Sequence, residues 1–420
     1  MDADVVVVGA GLAGLRCATR LAEAGRDVVV LEAGDVVGGR QRTDAVDGFL
    51  LDRGFQVLNP AYPAVRRWVD VEALGLRPFG PGLLVRRDRG LVRLTHPLRD
   101  PSGVPAALRS GLLDPAALLA LARWAGPAVV APRRVLRGPD RPLRAGLDSA
   151  GVRGPLRTEV LEPFLAGVLA EDVGETSESF ARLLVRMFAL GLPGLPADGI
   201  RALPAQLADR LPPGRAAVRL STPVAAVRDT GSGAVVELED GGRVVAGAAV
   251  VAVGPEAVGA LVDVPAPATK GLRTWWFSAD EAPTDSDLLA VDGRRDGPVV
   301  NLAVVSNAVP SYAPAGRHLV EATCLLPPGG ADGAAQEAVV RRQAGEVLGA
   351  DASRWTLLRR DDIRHALPVQ APPLRTTTSP FVTGRVLVCG DHRDTASIQG
   401  ALVSGHRVAG AVLGLLGPGA

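Results

Sequence analysis

Gly9, Gly11 and Gly14 follow the apolar run Val5 to Val8, and Glu32 closes a second apolar run eighteen residues beyond Gly14. Residues of these types at this spacing bind; they do not make bonds. Gly9 lets the chain leave a strand in a tight turn. Gly11 lets a backbone approach a pyrophosphate, and Gly14 lets the next helix pack closely on the sheet. The amides that open that helix point at phosphate with a favourable dipole. Glu32 then accepts hydrogen bonds from ribose hydroxyls and repels a 2′-phosphate, which favours a dinucleotide other than NADP. Gly38, Gly39 and Arg40 add a second glycine approach and a guanidinium able to pair bidentately with phosphate oxygens. With them the pattern points to FAD rather than NAD. Near the C-terminus a third apolar run ends in Gly390 and Asp391, so the two ends of the chain are expected to fold around one dinucleotide.

Few other residues invite chemistry. Hydride transfer to a flavin needs no protein nucleophile, so the lack of a Ser-His-Asp or Cys-His pattern decides nothing. Lys270, Arg273 and His365 are the catalytic candidates, each with a competing structural role as a solvent, core or capping residue. The three cysteines, Cys17, Cys324 and Cys389, have no metal or CxxC spacing and the five histidines are scattered, so no metal site is expected. Cys17 and Cys389 are expected to be reduced core residues.

Several stretches resemble a known superfamily. Gly9-x-Gly11-x-x-Gly14, Glu32-Ala33, Gly38-Gly39-Arg40-x-x-Thr43 and Asp52-x-Gly54 are similar to the N-terminal signature of FAD-dependent amine oxidases, protoporphyrinogen oxidases and phytoene desaturases. Gly390-Asp391 followed by Ser397-Ile398-Gln399-Gly400-Ala401 is similar to the superfamily's second flavin signature. The stretches Gly48 to Gln56 and Ser397 to Ala401 look closest to phytoene-desaturase-like bacterial oxidoreductases. The resemblance implies that Ala13 and Ala33 accompany the first signature and that Gly54, Phe55 and Gln56 run beside the flavin ring. It further implies that Val224 meets the adenine side through its backbone and that Asp391 contacts the ribitol-phosphate portion. Gln399, Gly400 and Ala401 would open a helix facing the isoalloxazine carbonyls. These motifs specify cofactor and fold, not substrate.

The elements that must position these residues suggest an α/β chain: a discontinuous Rossmann-type FAD-binding domain and a second, mixed α+β substrate domain with a helical cap. The expected division is 1–75, 196–264 and 373–420 for the FAD domain, and 76–195 and 265–372 for the substrate domain. Helices are predicted over 64–75, 104–113, 115–125, 179–190, 199–211 and 334–348, and a hairpin over 83–94. Strands are predicted at 217–220, 224–228, 234–238, 244–248, 249–253, 274–278, 288–291, 299–305 and 319–325.

At 420 residues the chain is too long for one compact core, which makes two domains the expectation. A hydrophobic share of 47% with 22% charged residues is that of a globular protein. The net charge of +1 gives no reason to expect nucleic acid. No basic leader precedes the first strand, so a cytoplasmic location is expected. Nothing in the sequence fixes an oligomeric state or a covalent flavin link. Residues 112–131, with Trp124, raise the possibility of peripheral membrane contact, against which Asp114 and Arg123 count.

Three functional readings compete. The first is a phytoene-desaturase-like oxidoreductase that takes hydride from an apolar or polyene-like small molecule. The second is an amine oxidase or protoporphyrinogen-type oxidase using oxygen, in which Lys270 would stand near flavin N5 through a water. The third, of another class, is a redox-neutral flavin isomerase or a non-catalytic FAD-binding scaffold.

Overall fold

The computed structural model describes residues 2–96, 99–326 and 334–417. Ala3–Val8 is the middle of a parallel sheet, with Val28–Leu31 on one side and Arg243–Val251 on the other. Ala216–Arg219 pairs beyond Val28–Leu31, and Val386–Val388 pairs with the second half of Arg243–Val251, both in parallel. The first half of Arg243–Val251 instead pairs antiparallel with Ala234–Leu238, which continues to Val224–Asp229. Val5 and Val7 face the helices Leu12–Glu23 and Ile398–Leu416, while Val6 and Val8 join a second cluster with Val236, Val251 and Val258 on the opposite face. Both faces are covered, which is why these strands read as unbroken apolar runs and not as alternation. Each valine so buried contributes about 1.5–3 kcal/mol.

The second sheet has the order Thr356–Pro368, Thr269–Ala279, His318–Leu326, Val299–Val304, Leu289–Asp292, Gly82–Arg87, Gly90–Thr95. Among its pairs only Leu289–Asp292 with Gly82–Arg87 is parallel. Val340, Ala344 and Val347 of the helix Ala334–Leu348 pack on it with Trp275 and Phe277. A group of helices that includes Pro115–Val130, Leu143–Ser149, Glu162–Leu169 and Glu178–Leu190 builds a separate apolar cluster, the cap.

Several sequence expectations change. The helix expected over 64–75 is only Pro63–Trp68, because Val69 turns extended and the Asp70 carboxylate accepts the Ala73 amide hydrogen in a turn. The strands expected at 244–248 and 249–253 are one strand, Arg243–Val251, whose two halves serve different partners. Thr356–Pro368 has no counterpart among the predicted strands. Its charged residues hid the pattern, since Arg359, Asp361 and Asp362 point at partners: the Asp361 carboxylate accepts the Trp276 indole hydrogen at 3.2 Å and Asp362 pairs with Arg273 at 2.5 Å. Trp124, considered above for membrane contact, is buried in the cap and donates to Glu178 at 2.9 Å. Among the described residues no helix is long and apolar enough to cross a membrane.

Candidate cofactor and substrate site

The strand Ala3–Val8 delivers Gly9, whose φ of +103° is a conformation that glycine tolerates best. A Cβ there would also lie 2.8 Å from the Ala252 carbonyl oxygen. On Gly14 a Cβ would lie 2.0 Å from the Gly9 oxygen. Gly11 differs from both: a Cβ on it would meet nothing within 4 Å, so its Cα faces open space. Gly39 comes up against that same Cα, and a Cβ built on it would stand 3.5 Å away. Gly38, at φ +125°, is the tight turn that permits this approach. The result is a backbone-walled cradle at the N-terminus of Leu12–Glu23.

Glu32 stands at the end of the second strand. Its two carboxylate oxygens accept the amide hydrogens of Ala10 at 2.7 Å and Gly34 at 2.8 Å, which fixes the carboxylate beside the cradle. Ala33 is exposed next to it. The Thr222 amide donates to the Glu32 carbonyl at 2.8 Å, which brings Val224 to this end of the cradle.

Arg40 and Asp391 meet although 350 residues separate them: the guanidinium pairs with the carboxylate at 2.6 Å and also donates to the Ala366 carbonyl at 2.8 Å. Arg40 was expected to hold phosphate. In this structure it is committed to Asp391, which is buried. Gln56 donates to the Arg40 carbonyl at 2.7 Å and accepts from Gln41, so it locks the loop that carries Arg40. The Phe55 amide donates to Thr274 Oγ1 at 3.3 Å and its ring meets Phe79 edge-on. Gly54 turns at φ +82° beneath Ile363.

The second signature enters from the other end of the chain. Gly390, at φ +153°, donates its amide hydrogen to Ser404 Oγ at 3.1 Å. Ser397 caps the helix Ile398–Leu416 by accepting the Gly400 amide at 3.1 Å. Gly400 is required by packing, because a Cβ would lie 1.9 Å from the Thr395 oxygen. The Gln399 side chain turns away to accept the Ala64 amide at 2.8 Å, and Ala401 donates to the Ser397 carbonyl. Ala13 lies in the contact between the two helices, where a Cβ on Gly405 would lie 2.1 Å from the Ala13 oxygen.

His392 was not singled out from the sequence, although it directly follows Asp391. Both ring nitrogens are buried without a hydrogen-bond partner. Burial pushes the imidazole down to about 4, so it is neutral near pH 7. An orphaned donor–acceptor pair beside Arg40 and Asp391, together with the open face of Gly11, fits a polar, phosphate-bearing group such as FAD.

The three catalytic candidates are not brought together. Lys270 Nζ donates to Thr176 Oγ1 at 2.6 Å and to the Leu169 carbonyl at 3.2 Å, with Glu171 at 3.7 Å. Burial lowers its ordinary pKa, opposed by Glu171. Arg273 is buried in the second sheet on Asp362 and Gln336. His365 is exposed and shares a 2.7 Å hydrogen bond with Thr269 Oγ1.

Tyr62, Phe164, Val168, Phe188, Leu367 and Leu374 pack against one apolar cluster that includes Ala396, which lies between Asp391 and Ser397 within the second flavin signature.

The putrescine oxidase of Kocuria rosea is 48% identical over 79 residues, 19% of this chain and 16% of that protein. The carotenoid 3,4-desaturase of Haloarcula japonica is 51% identical over 51 residues, 12% of this chain and 10% of that protein. The chain thus matches about a sixth or less of the length of these curated relatives. An oxidoreductase structure from Methanosarcina mazei superposes with a TM-score of 0.74 at 17% identity, covering 96% of this chain and 99% of that one, which shows the shared fold. The family model described as flavin containing amine oxidoreductase matches residues 12–413. The chain belongs to the flavin-containing amine oxidoreductases, a family of FAD-dependent oxidoreductases.

Proposed function

We propose that the protein is a phytoene-desaturase-like oxidoreductase that takes a hydride from an apolar, polyene-like small molecule. The observation that carries this reading is the apolar cap cluster, against which Leu367 and Leu374 pack and which includes Ala396 within the second flavin signature. Bound FAD would supply the hydride acceptor. Gly11, Gly39 and Glu32 would hold its dinucleotide portion, with His392 and the Arg40–Asp391 pair beside it. Phe164, Val168 and Phe188 would exclude water and align an apolar chain, which binds by area and shape. The residues 1–75, 196–264 and 373–420 would form the FAD-binding unit, and the remainder the substrate unit.

The state of Lys270 supports the same reading. Its ammonium donates to Thr176 Oγ1 and the Leu169 carbonyl, with the Glu171 carboxylate 3.7 Å away. A lysine so engaged with the cap is a poor holder of a water at flavin N5. Leu108, Leu118, Leu119, Val130 and Leu136 are exposed on the outer helices, interspersed with exposed Arg109, Arg123, Arg133, Arg134 and Arg137. Such a mixture suits transient contact with an anionic lipid surface, the natural reservoir of an apolar substrate.

A second reading, an amine oxidase using oxygen, draws on the likeness to putrescine oxidase. Anaerobic mixing of the FAD-loaded protein with a solubilised polyene, and separately with putrescine, tests the two. Loss of the oxidised flavin absorbance with the polyene is expected. Loss with putrescine alone would overturn the proposal in favour of the second reading.

A further inference from the structure

On the outer face of the helix Leu12–Glu23 lies a cleft of about 410 Å³ lined by Arg16, Arg20, Glu23, Arg67, Trp68 and His406. Three segments meet there: that helix, the short helix Pro63–Trp68, and Ile398–Leu416. None of these residues belongs to the cofactor cradle. At 1.5 Å rise per residue, Arg20 and Glu23 lie roughly 13 and 18 Å along the helix from Gly11.

The charges in the cleft do not cancel. Three guanidiniums face one carboxylate, Glu23, which is 3.2 Å from Arg16 and half exposed. Arg16 is only 7% exposed, and its Nε is a buried donor with no partner. Its guanidinium lies 4.9 Å from the Trp68 ring centre and that of Arg67 lies 5.4 Å from it. The indole offsets some of the repulsion between them but satisfies none of the N–H groups. Arg20 donates to the His406 carbonyl at 2.5 Å, which holds it against the C-terminal helix.

His406 contributes a donor and no charge. Burial, with Arg20, Arg16 and Arg67 around it, pushes the imidazole down to about 4. Its Nδ1 lies 3.5 Å from Arg16 Nη2. Arginine only donates, so Nδ1 accepts and Nε2 carries the hydrogen. The cleft therefore offers guanidinium and imidazole donors around an excess of two positive charges. Uncompensated like charges held together cost free energy, and an oxyanion seated among the guanidiniums relieves that cost.

We propose that this cleft is a second anion site, which binds the phosphate or diphosphate group of a small molecule or of a lipid headgroup. A seated phosphate would tie together the cradle helix, the segment after Asn59 and the helix that follows the second flavin signature. Binding there is expected to raise the unfolding temperature of the FAD-loaded protein by mass action.

Isothermal titration calorimetry of the FAD-saturated protein with inorganic pyrophosphate tests the site, with sodium chloride at matched ionic strength as control. Saturable binding at one site is expected, with no release of flavin fluorescence. Arg67→Gln, at an exposed position, should weaken that binding about tenfold, and Arg20→Gln should do likewise, with the flavin spectrum unchanged. In a parallel arm, co-sedimentation with phosphatidylcholine vesicles containing phosphatidic acid distinguishes the source. Binding to the vesicles that is lost in Arg67→Gln, without binding of free pyrophosphate, supports the lipid source of the same group. The proposal is overturned if neither probe binds, if both variants bind as the parent does, or if pyrophosphate displaces flavin.

Discussion

Gly11 and Gly9 are glycines for different reasons, and substitution separates them. A side chain on Gly9 meets protein; one on Gly11 meets only the space where a pyrophosphate would lie. Gly11→Val is therefore expected to fold but to purify colourless, with apo-protein unfolding within about 0.5 kcal/mol of the parent, the ordinary range for an unburied change. Absorbance and a thermal melt check this, and a fully flavin-loaded variant would refute the cradle. Asp52 is a buried hub, accepting from Thr43 at 2.6 Å, Tyr312 at 2.9 Å and the Ile200 amide at 3.1 Å. Burial nonetheless pushes its carboxyl up to about 6. The folded protein thus keeps a proton that the unfolded chain releases near pH 4, so this contribution is complete below about pH 4 and lost as pH rises through about 6. Asp52→Asn should remove on the order of 2 kcal/mol of that decline between about pH 4 and pH 7. Urea titrations across the interval check it; identical pH slopes in parent and variant would contradict it.

For whole elements, the contact between Leu12–Glu23 and Ile398–Leu416 decides whether the two flavin signatures meet. The helices touch backbone to backbone at Ala13 and Gly405. Gly405→Val should push them apart, costing about 1–3 kcal/mol or more as an overpacked core does, and should weaken flavin retention with it. Gly414, exposed in the same helix and with nothing within 4 Å of a Cβ, is the control. Gly414→Ala should stabilise by about 0.5–1 kcal/mol. Denaturant melts of both variants suffice, and a neutral Gly405→Val would show that the contact is soft. Lys270 acts as a strut between the second sheet and the cap. Lys270→Met is expected to leave anaerobic flavin reduction by an active substrate within about twofold, whereas loss of a positioned proton-handling group would cost about 100-fold or more.

Across the whole molecule, the proposed function has substrate reach the flavin between the helical cap and the cradle. On that reading the apolar side chains of the cap cluster favour an apolar donor, and Lys270, held by Thr176 and Leu169, is not free to stabilise superoxide formed at the flavin. After photoreduction of the bound flavin, reoxidation in air-saturated buffer is expected to be slow, over minutes rather than within the mixing time. Stopped-flow absorbance reads this directly. Rapid reoxidation would move the search to amines and porphyrinogen-type substrates.

Much of this was legible in the sequence. A strand, a glycine turn, a helix and a carboxylate within the first 32 residues are local constraints on the backbone, and local constraints leave a local record in residue type and spacing. The parallel strands left theirs as unbroken valine runs, because both of their faces are buried. Thr356–Pro368 left none, since its charged side chains make sense only opposite Arg273 and Trp276. The tertiary structure alone decided that Arg40 pairs with Asp391, that Lys270 belongs to the cap, that His392 stands beside the cradle with unpaired nitrogens, and that Arg16, Arg67 and His406 share one cleft. Those pairings join residues tens to hundreds of positions apart. No periodicity encodes them, because they arise only when the chain closes its long loops and brings separate elements into contact.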